Sequence, residues 1–360
     1  METEIVPAVV AALVAGGLAA WLLIRRRSGD GTTARREPRL SEAAPETAAS
    51  AVAPALLAEM RERFLRGGLG VEGAYVDGPD APELRPLVDA VAAALERADL
   101  SQRYVPRRPE LLPQLIQSVN DSSASARSIA RLIGSDPVLT VSLLRIANSA
   151  LYRVQEQPLR SVERAVTMVG NDGIRQIISA ALLQPVMQPQ DHGSNRFSQR
   201  MWDYTLRMAL VAAEHARSVE RGDGFAAQLA GLLHGLGMVM VARATADACA
   251  QRPLLATAPE LLLPLLEQHA AAVAAHIAGE WQLPAEVVDA LGSDAARSSL
   301  ARSLQVGELA AALSMLCQDQ QMGEEQALQL LAGCVPAPAH ELLWRRAHPD
   351  EPDAEDGRWS

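Results

Sequence analysis

Along this chain of 360 residues the apolar side chains recur every three to four positions, and no stretch alternates with period two over the length of a strand. A strand sends successive side chains to opposite faces, whereas a helix returns to one face after three or four residues. Such a chain can therefore bury its apolar surface only as helices. Composition agrees. Half of the residues are hydrophobic (49%) but only 3% are aromatic, and the apolar content rests on Ala, Leu and Val. Closely packed helices use such residues, whereas sandwiches and barrels draw on β-branched and aromatic ones. The expected fold class is all-α, a multi-helix bundle.

One apolar run stands apart. Ile5 to Ile24 carries no charge, and Arg25, Arg26 and Arg27 follow it directly, while Glu2 and Glu4 precede it. At 1.5 Å per residue it reaches about 30 Å, the thickness of the hydrocarbon layer. Its charge pattern is the reverse of a cleaved signal peptide, and the positive-inside rule keeps the rest of the chain in the cytoplasm. Residues 1–27 are thus expected to be a single-pass anchor with an Arg stop, placing the protein at the inner (cytoplasmic) membrane. Residues 28–50 read as a flexible linker of Ala, Pro, Glu, Thr and Gly. Residues 51–102 hold two short helices, Ala55 to Leu65, ended by Gly67-Gly68, and Glu83 to Leu100, with no assigned role. Residues 103–300 form the main domain, 301–346 a C-terminal helical extension, and 347–360 an acidic tail expected to be disordered.

Charge narrows the function. With 43 acidic against 33 basic residues the net charge is −10, which disfavours holding nucleic acid by its phosphates. Every basic residue is Arg, so Schiff-base chemistry and phosphate loops built on lysine are excluded. Cys249, Cys317 and Cys334 are too few and too scattered for a disulfide frame or a thiolate zinc site.

The motifs of the main domain resemble a known family. Asp136-Pro137-Val138-Leu139-Thr140 followed by Leu143-Leu144-Arg145-Ile146-Ala147-Asn148-Ser149-Ala150 looks like the "DPxLT…LLRxANSA" core of the HDOD domain. Ser161-Val162 with Arg164-Ala165-Val166 and Gly170 resembles its "SIxRAIxxLG" helix, and Leu111-Leu112-Pro113 matches "LPxLP" in part. Ala230-Gly231-Leu232-Leu233-His234-Gly235-Leu236-Gly237 is similar to "AGLLHDIG", and Trp281-Gln282-Leu283-Pro284 to "WxLP". The resemblance implies an HD-like helical bundle related to metal-dependent phosphohydrolases but without catalysis, serving bacterial signal transduction as an output or scaffolding module.

An HD-type site needs several His and Asp ligands around one or two metal ions. Mapped through the resemblance, the early histidine falls on Tyr204, the His-Asp pair on His234-Gly235, the next histidine on Ala270 beside His269, and the late pair on Asp294-Ala295. Only His234 remains in place, and one imidazole is too few for a metal that takes about three protein ligands. His269 and His276, seven residues apart, share a helix face but stand about 10 Å apart along it. No cofactor or catalytic residue is expected. The residual metal candidates are His234, His269 and Asp294, joined by His215 in a divergent phosphohydrolase. Asp136, Pro137, Asn148, Ser149, Gly170, Gly231, His234, Trp281 and Pro284 read as structural motif residues, His234 as a buried histidine bonded to backbone; Asn148 with Arg145 is an alternative partner surface, and Arg127, Arg131 and Arg175 read as a solvated face, or else a recognition face. The leading expectation is a membrane-tethered, non-catalytic scaffold that contacts protein partners and no nucleic acid. The alternatives are a divergent phosphohydrolase on a nucleotide or cyclic dinucleotide, and a nucleotide-binding sensor without turnover.

Overall fold

The computed structural model describes residues 52–69, 84–96, 106–114, 133–134, 137–153, 155, 157–187, 195–252, 255–256, 258–292 and 298–349. Contacts divide the chain into residues 1–46 and 47–360, and every described residue belongs to the second unit. The apolar run at 5–24, the linker, Asp136, Asp294, Arg127, Arg131 and residues 350–360 lie outside the described residues.

Among the described residues there is no strand, and the helices are α1 (Pro54–Leu69), α2 (Arg85–Glu96), α3 (Pro137–Ala147), α4 (Val162–Met187), α5 (Asn195–Ser218), α6 (Gly224–Ala248), α7 (Pro259–Glu280), α8 (Ala285–Leu291), α9 (Ser299–Gln318), α10 (Glu324–Ala332) and α11 (Ala339–Ala347). Local chemistry sets their limits. Pro137 opens α3, where a missing N–H costs nothing. Gly170 sits at φ 71°, ψ −179° and breaks α4 into two arms, a backbone state that side-chain-bearing residues rarely adopt. The Asp223 carboxylate accepts from the backbone N–H of Phe225 (2.7 Å) and Ala226 (3.2 Å), capping α6 after the Gly222 break. One expected boundary moves: α1 continues through Gly67 and Gly68 to Leu69, and Gly67 packs against the Gln321 side chain. Tertiary contact there outweighs the low helix propensity of glycine.

The centre of the bundle is α5, lying between α6 and α9. Helices α5 and α9 run antiparallel and are clamped at both ends by two-pronged ion pairs. Arg200, at the start of α5, donates through Nη1 and Nη2 to the Asp319 carboxylate after α9 (2.9 and 2.5 Å). Arg302, at the start of α9, donates through Nε and Nη2 to Glu220 after α5 (2.9 and 2.6 Å). Helix α6 approaches α5 so closely that a Cβ on Gly231 would stand 2.7 Å from Ala209 Cα. Small residues at such crossings explain how an aromatic-poor chain builds a dense core. Helix α9 falls in the stretch read from sequence as a C-terminal extension, and its residues Leu304 to Leu316 are largely buried. Helices α1 and α2, which precede the family-like region, pack on α9 and on α6 and α7. By length and composition α6 and α7 could each cross a membrane, but 89% of the most apolar stretch of α6 and 56% of that of α7 are buried inside the protein. Helix α6 is a core helix.

His215 illustrates how polar groups are accommodated between α5 and α9. Its Nδ1 lies 3.0 Å from Ser303 Oγ. Burial lowers its pKa to about 4, against the opposing pull of Glu220 and with a further push from Arg302. The unfolded chain, with a pKa near 6.5, binds the proton more readily than the folded one, so stability is full above that value and is lost as pH falls toward about 4. Thermal melting followed from pH 7 downward should show this acid slope, and His215→Gln should flatten it.

Candidate functional site

Two of the mapped positions, Tyr204 and His234, meet at a buried carboxylate. His234 lies in the middle of α6, Tyr204 on the facing side of α5, and Glu308 on α9, with Tyr204 0%, His234 8% and Glu308 3% exposed. His234 Nε2 is 3.8 Å from Glu308 Oε1. The Tyr204 hydroxyl donates to the same oxygen at 3.4 Å. The fourth member comes from α1: Arg61 Nε donates to Glu308 Oε1 at 2.5 Å. One helical turn further along α1, Phe64 stacks on Tyr204 with ring centroids 4.5 Å apart and planes 13° apart. The Arg200 guanidinium lies over the Phe64 ring, 5.5 Å from its centroid.

Electrostatics define the charge states. Burial is the largest single influence on the Glu308 carboxyl and pushes it up, but the Arg61 guanidinium, His234 and the Tyr204 hydrogen bond together outweigh it, and the net direction is down. The Arg61 pKa is raised, chiefly by Glu308. Burial drives Tyr204 well above its ordinary value, and Glu308 adds to this, so the phenol stays protonated and acts as a donor. Burial lowers His234 more than Glu308 raises it, leaving a neutral imidazole at pH 7. The cluster is one buried anion matched by one cation, with two neutral side chains beside it.

This arrangement does not fit a metal ion. The carboxylate is already neutralised by the guanidinium, the phenol is held protonated, and a single neutral imidazole remains. Among the described residues no three His, Cys, Asp or Glu side chains are grouped to hold an ion. Position 235, where the resemblance would place a ligand Asp, is closed: a Cβ on Gly235 would lie 2.7 Å from Thr205 Cβ. Residues 105–296 match the family model of the HDOD domain. The chain belongs to the HDOD family. Among solved structures it is similar to a Shewanella amazonensis SB2B protein whose name proposes a phosphohydrolase (21% identity, 70% of this chain and 94% of that one, TM-score 0.50). It is also similar to an HDOD domain protein of unknown function from Geobacter sulfurreducens (18% identity, 73% and 87%, TM-score 0.47). At such identities the likeness is one of fold. An uncharacterised protein of Treponema pallidum (strain Nichols) is 24% identical over 201 residues, 56% of this chain, and the match spans only 34% of that protein.

The HDOD motif residues have identifiable structural work. Asn148 pairs with the backbone of Leu159 in both directions, Nδ2 donating to its carbonyl (2.9 Å) and Oδ1 accepting from its N–H (2.6 Å). Ser149 Oγ donates to the Ile146 carbonyl at 2.7 Å and finishes α3. The Trp281 indole donates to the Pro106 carbonyl (2.9 Å) while Arg108 donates to the Trp281 carbonyl (2.8 Å), so the "WxLP" turn pins the entry of the domain. Pro284 precedes the first turn of α8. Arg175, weighed as part of an exposed recognition face, is instead 9% exposed and pairs with Asp172 at 3.5 Å. His269 is 7% exposed, whereas His276 on the same helix is exposed. The buried stripe of α7 continues through Val273, Ala274, Ile277 and Ala278, and His276 lies beside it. Asp294 lies outside the described residues.

The residues the motifs did not reveal are Glu308 and Arg61. Glu308 is the sole charge between Arg302 and Asp319, set within an apolar Ala- and Leu-rich helix. A lone carboxylate on an apolar stripe is the available signal, since it cannot stay charged there without a cation. Its partner is 247 positions away in sequence, and no spacing rule reaches it.

Removing one partner of a buried pair leaves the other uncompensated, so Arg61→Met should cost about 3–5 kcal/mol, toward the lower end because Arg61 keeps 20% exposure. Arg61→Met combined with Glu308→Leu should recover most of that loss. Chemical denaturation of the four members of the cycle checks both. Glu308 is depressed in the folded state, so the pair stabilises above its ordinary pKa of 4.5 and the benefit fades as pH falls below it. The deficit of Arg61→Met should shrink in the same range.

Proposed function

We propose that this HDOD protein is a membrane-tethered, non-catalytic signal-transduction scaffold that acts through protein–protein contacts. The observation that carries the reading is the Arg61 guanidinium lying on Glu308 at the place where a phosphohydrolase of this ancestry would need a metal ion. A catalytic metal needs an open position and about three protein ligands to polarise a phosphate and activate water. Here the one carboxylate is engaged, the mapped Asp position is a glycine packed on Thr205, and α1 with Phe64 covers the Tyr204 ring. The tether rests on the uncharged run Ile5 to Ile24 with its following arginines, which supports a single-pass segment and a cytoplasmic HDOD domain. Anchoring would raise the effective concentration of the domain toward other membrane-bound proteins.

The full chain, purified in detergent without chelator or histidine tag, should contain far less than one equivalent of transition metal. It should hydrolyse neither a generic phosphodiester nor a cyclic dinucleotide when manganese or iron is supplied. Metal-dependent hydrolysis that disappears in His234→Ala would overturn the reading in favour of a divergent phosphohydrolase. A rise in melting temperature with a nucleotide, without turnover, would replace it by a sensor.

A further inference from the structure

Helix α1 is joined to the HDOD bundle in the manner of a peptide ligand. Leu57, Met60, Phe64 and Leu65 form its buried stripe, at 7%, 2%, 1% and 1% exposure, with Arg61 on the same side. Its spacing is that of an amphipathic helix laid in a groove. It lies ahead of the matched segment 105–296, as α9 with Glu308 lies after it. The bundle face beneath it has a definite chemistry: the buried Glu308 carboxylate, the flat Tyr204 ring, the Arg200–Asp319 pair, and Glu260 and the Gln321 carbonyl at the edges. Each is met by a group of α1. Arg61 takes Glu308 at 2.5 Å, Phe64 stacks on Tyr204 and lies under Arg200, Arg66 reaches Glu260 at 3.1 Å, and Arg63 donates to the Gln321 carbonyl at 3.1 Å. Beside α1 the cover is incomplete: a cavity of about 220 Å³ opens between it and the first turns of α7, lined by Glu62, Leu65, Arg66, Glu260 and Glu267.

Uncovered, this face would hold a desolvated carboxylate without a cation and an apolar ring in water. It is therefore built for a cationic amphipathic helix. We propose that the face is a helix-receptor groove, filled in the resting chain by its own residues 54–69, and that its exchangeable occupant is an amphipathic helix of a partner protein bearing arginine and phenylalanine three positions apart. The inference rests on the scaffold reading and gives that scaffold a partner chemistry. Covalent connection gives α1 a high local concentration, so a partner helix gains the groove only by binding more tightly or when α1 is drawn away.

The test uses a fluorescent peptide of residues 52–69 and the full chain in detergent. Fluorescence anisotropy should show weak binding to the unaltered chain and binding tighter by about tenfold or more to the Arg61→Ala/Phe64→Ala chain, whose own α1 has lost its anchors. The same peptide carrying both alanines should not bind, and Glu308→Gln added to the double variant should weaken capture of the unaltered peptide. Equal binding of the two peptides to the double variant overturns the proposal. Hydrogen exchange on the unaltered chain needs no folded variant: amides of α1 should exchange well before those of α6, and faster still with saturating peptide. Exchange of α1 only together with α6 also overturns it. An inactive, metal-free chain that fails these tests loses the groove and keeps the scaffold reading. Metal-dependent hydrolysis removes the scaffold reading itself.

Discussion

A carboxylate sealed in a helical core must either take up a proton or find a cation, and Glu308 finds Arg61. Much of the architecture around the candidate site follows from that demand. The bundle of α5, α6 and α9 is not electrically complete in itself, because its central anion is neutralised only by a helix that precedes the family domain. The pair fixes α1 on the bundle, orders Phe64 against Tyr204, and leaves His234 as a neutral bystander.

The second constraint is packing. A core with so few aromatics reaches density through close helix approach, and Gly231 against Ala209 is one of the contacts that permits it. The same closeness leaves no room for a side chain at Gly235, because Thr205 occupies the space. The two-pronged pairs Arg200–Asp319 and Arg302–Glu220 then hold α5 and α9 in register, so that Tyr204 and Glu308 meet midway.

Much of the fold could be read directly. The break at Gly170 and the proline opening α3 act through their own backbone and near neighbours. Asn148 and Ser149 likewise bond within eleven and three positions of themselves. Arg175 was misjudged because a charge on a helix gives no sign of which neighbour will bury it. His269 and His276 were read as sharing a face, and differ because the buried stripe of α7 passes from His269 and Ala270 through Val273 and Ala274 to Ile277 and Ala278, beside His276.

The sequence by itself determined the helical class and the family, because both depend on residue types at short, countable spacings. Only the tertiary structure decided which cation meets the buried carboxylate. Arg61 and Glu308 are 247 positions apart and belong to helices on either side of the matched segment. A long-range ion pair has no periodicity and no local propensity. It exists because two surfaces, each incomplete in charge, close on one another once the bundle has formed.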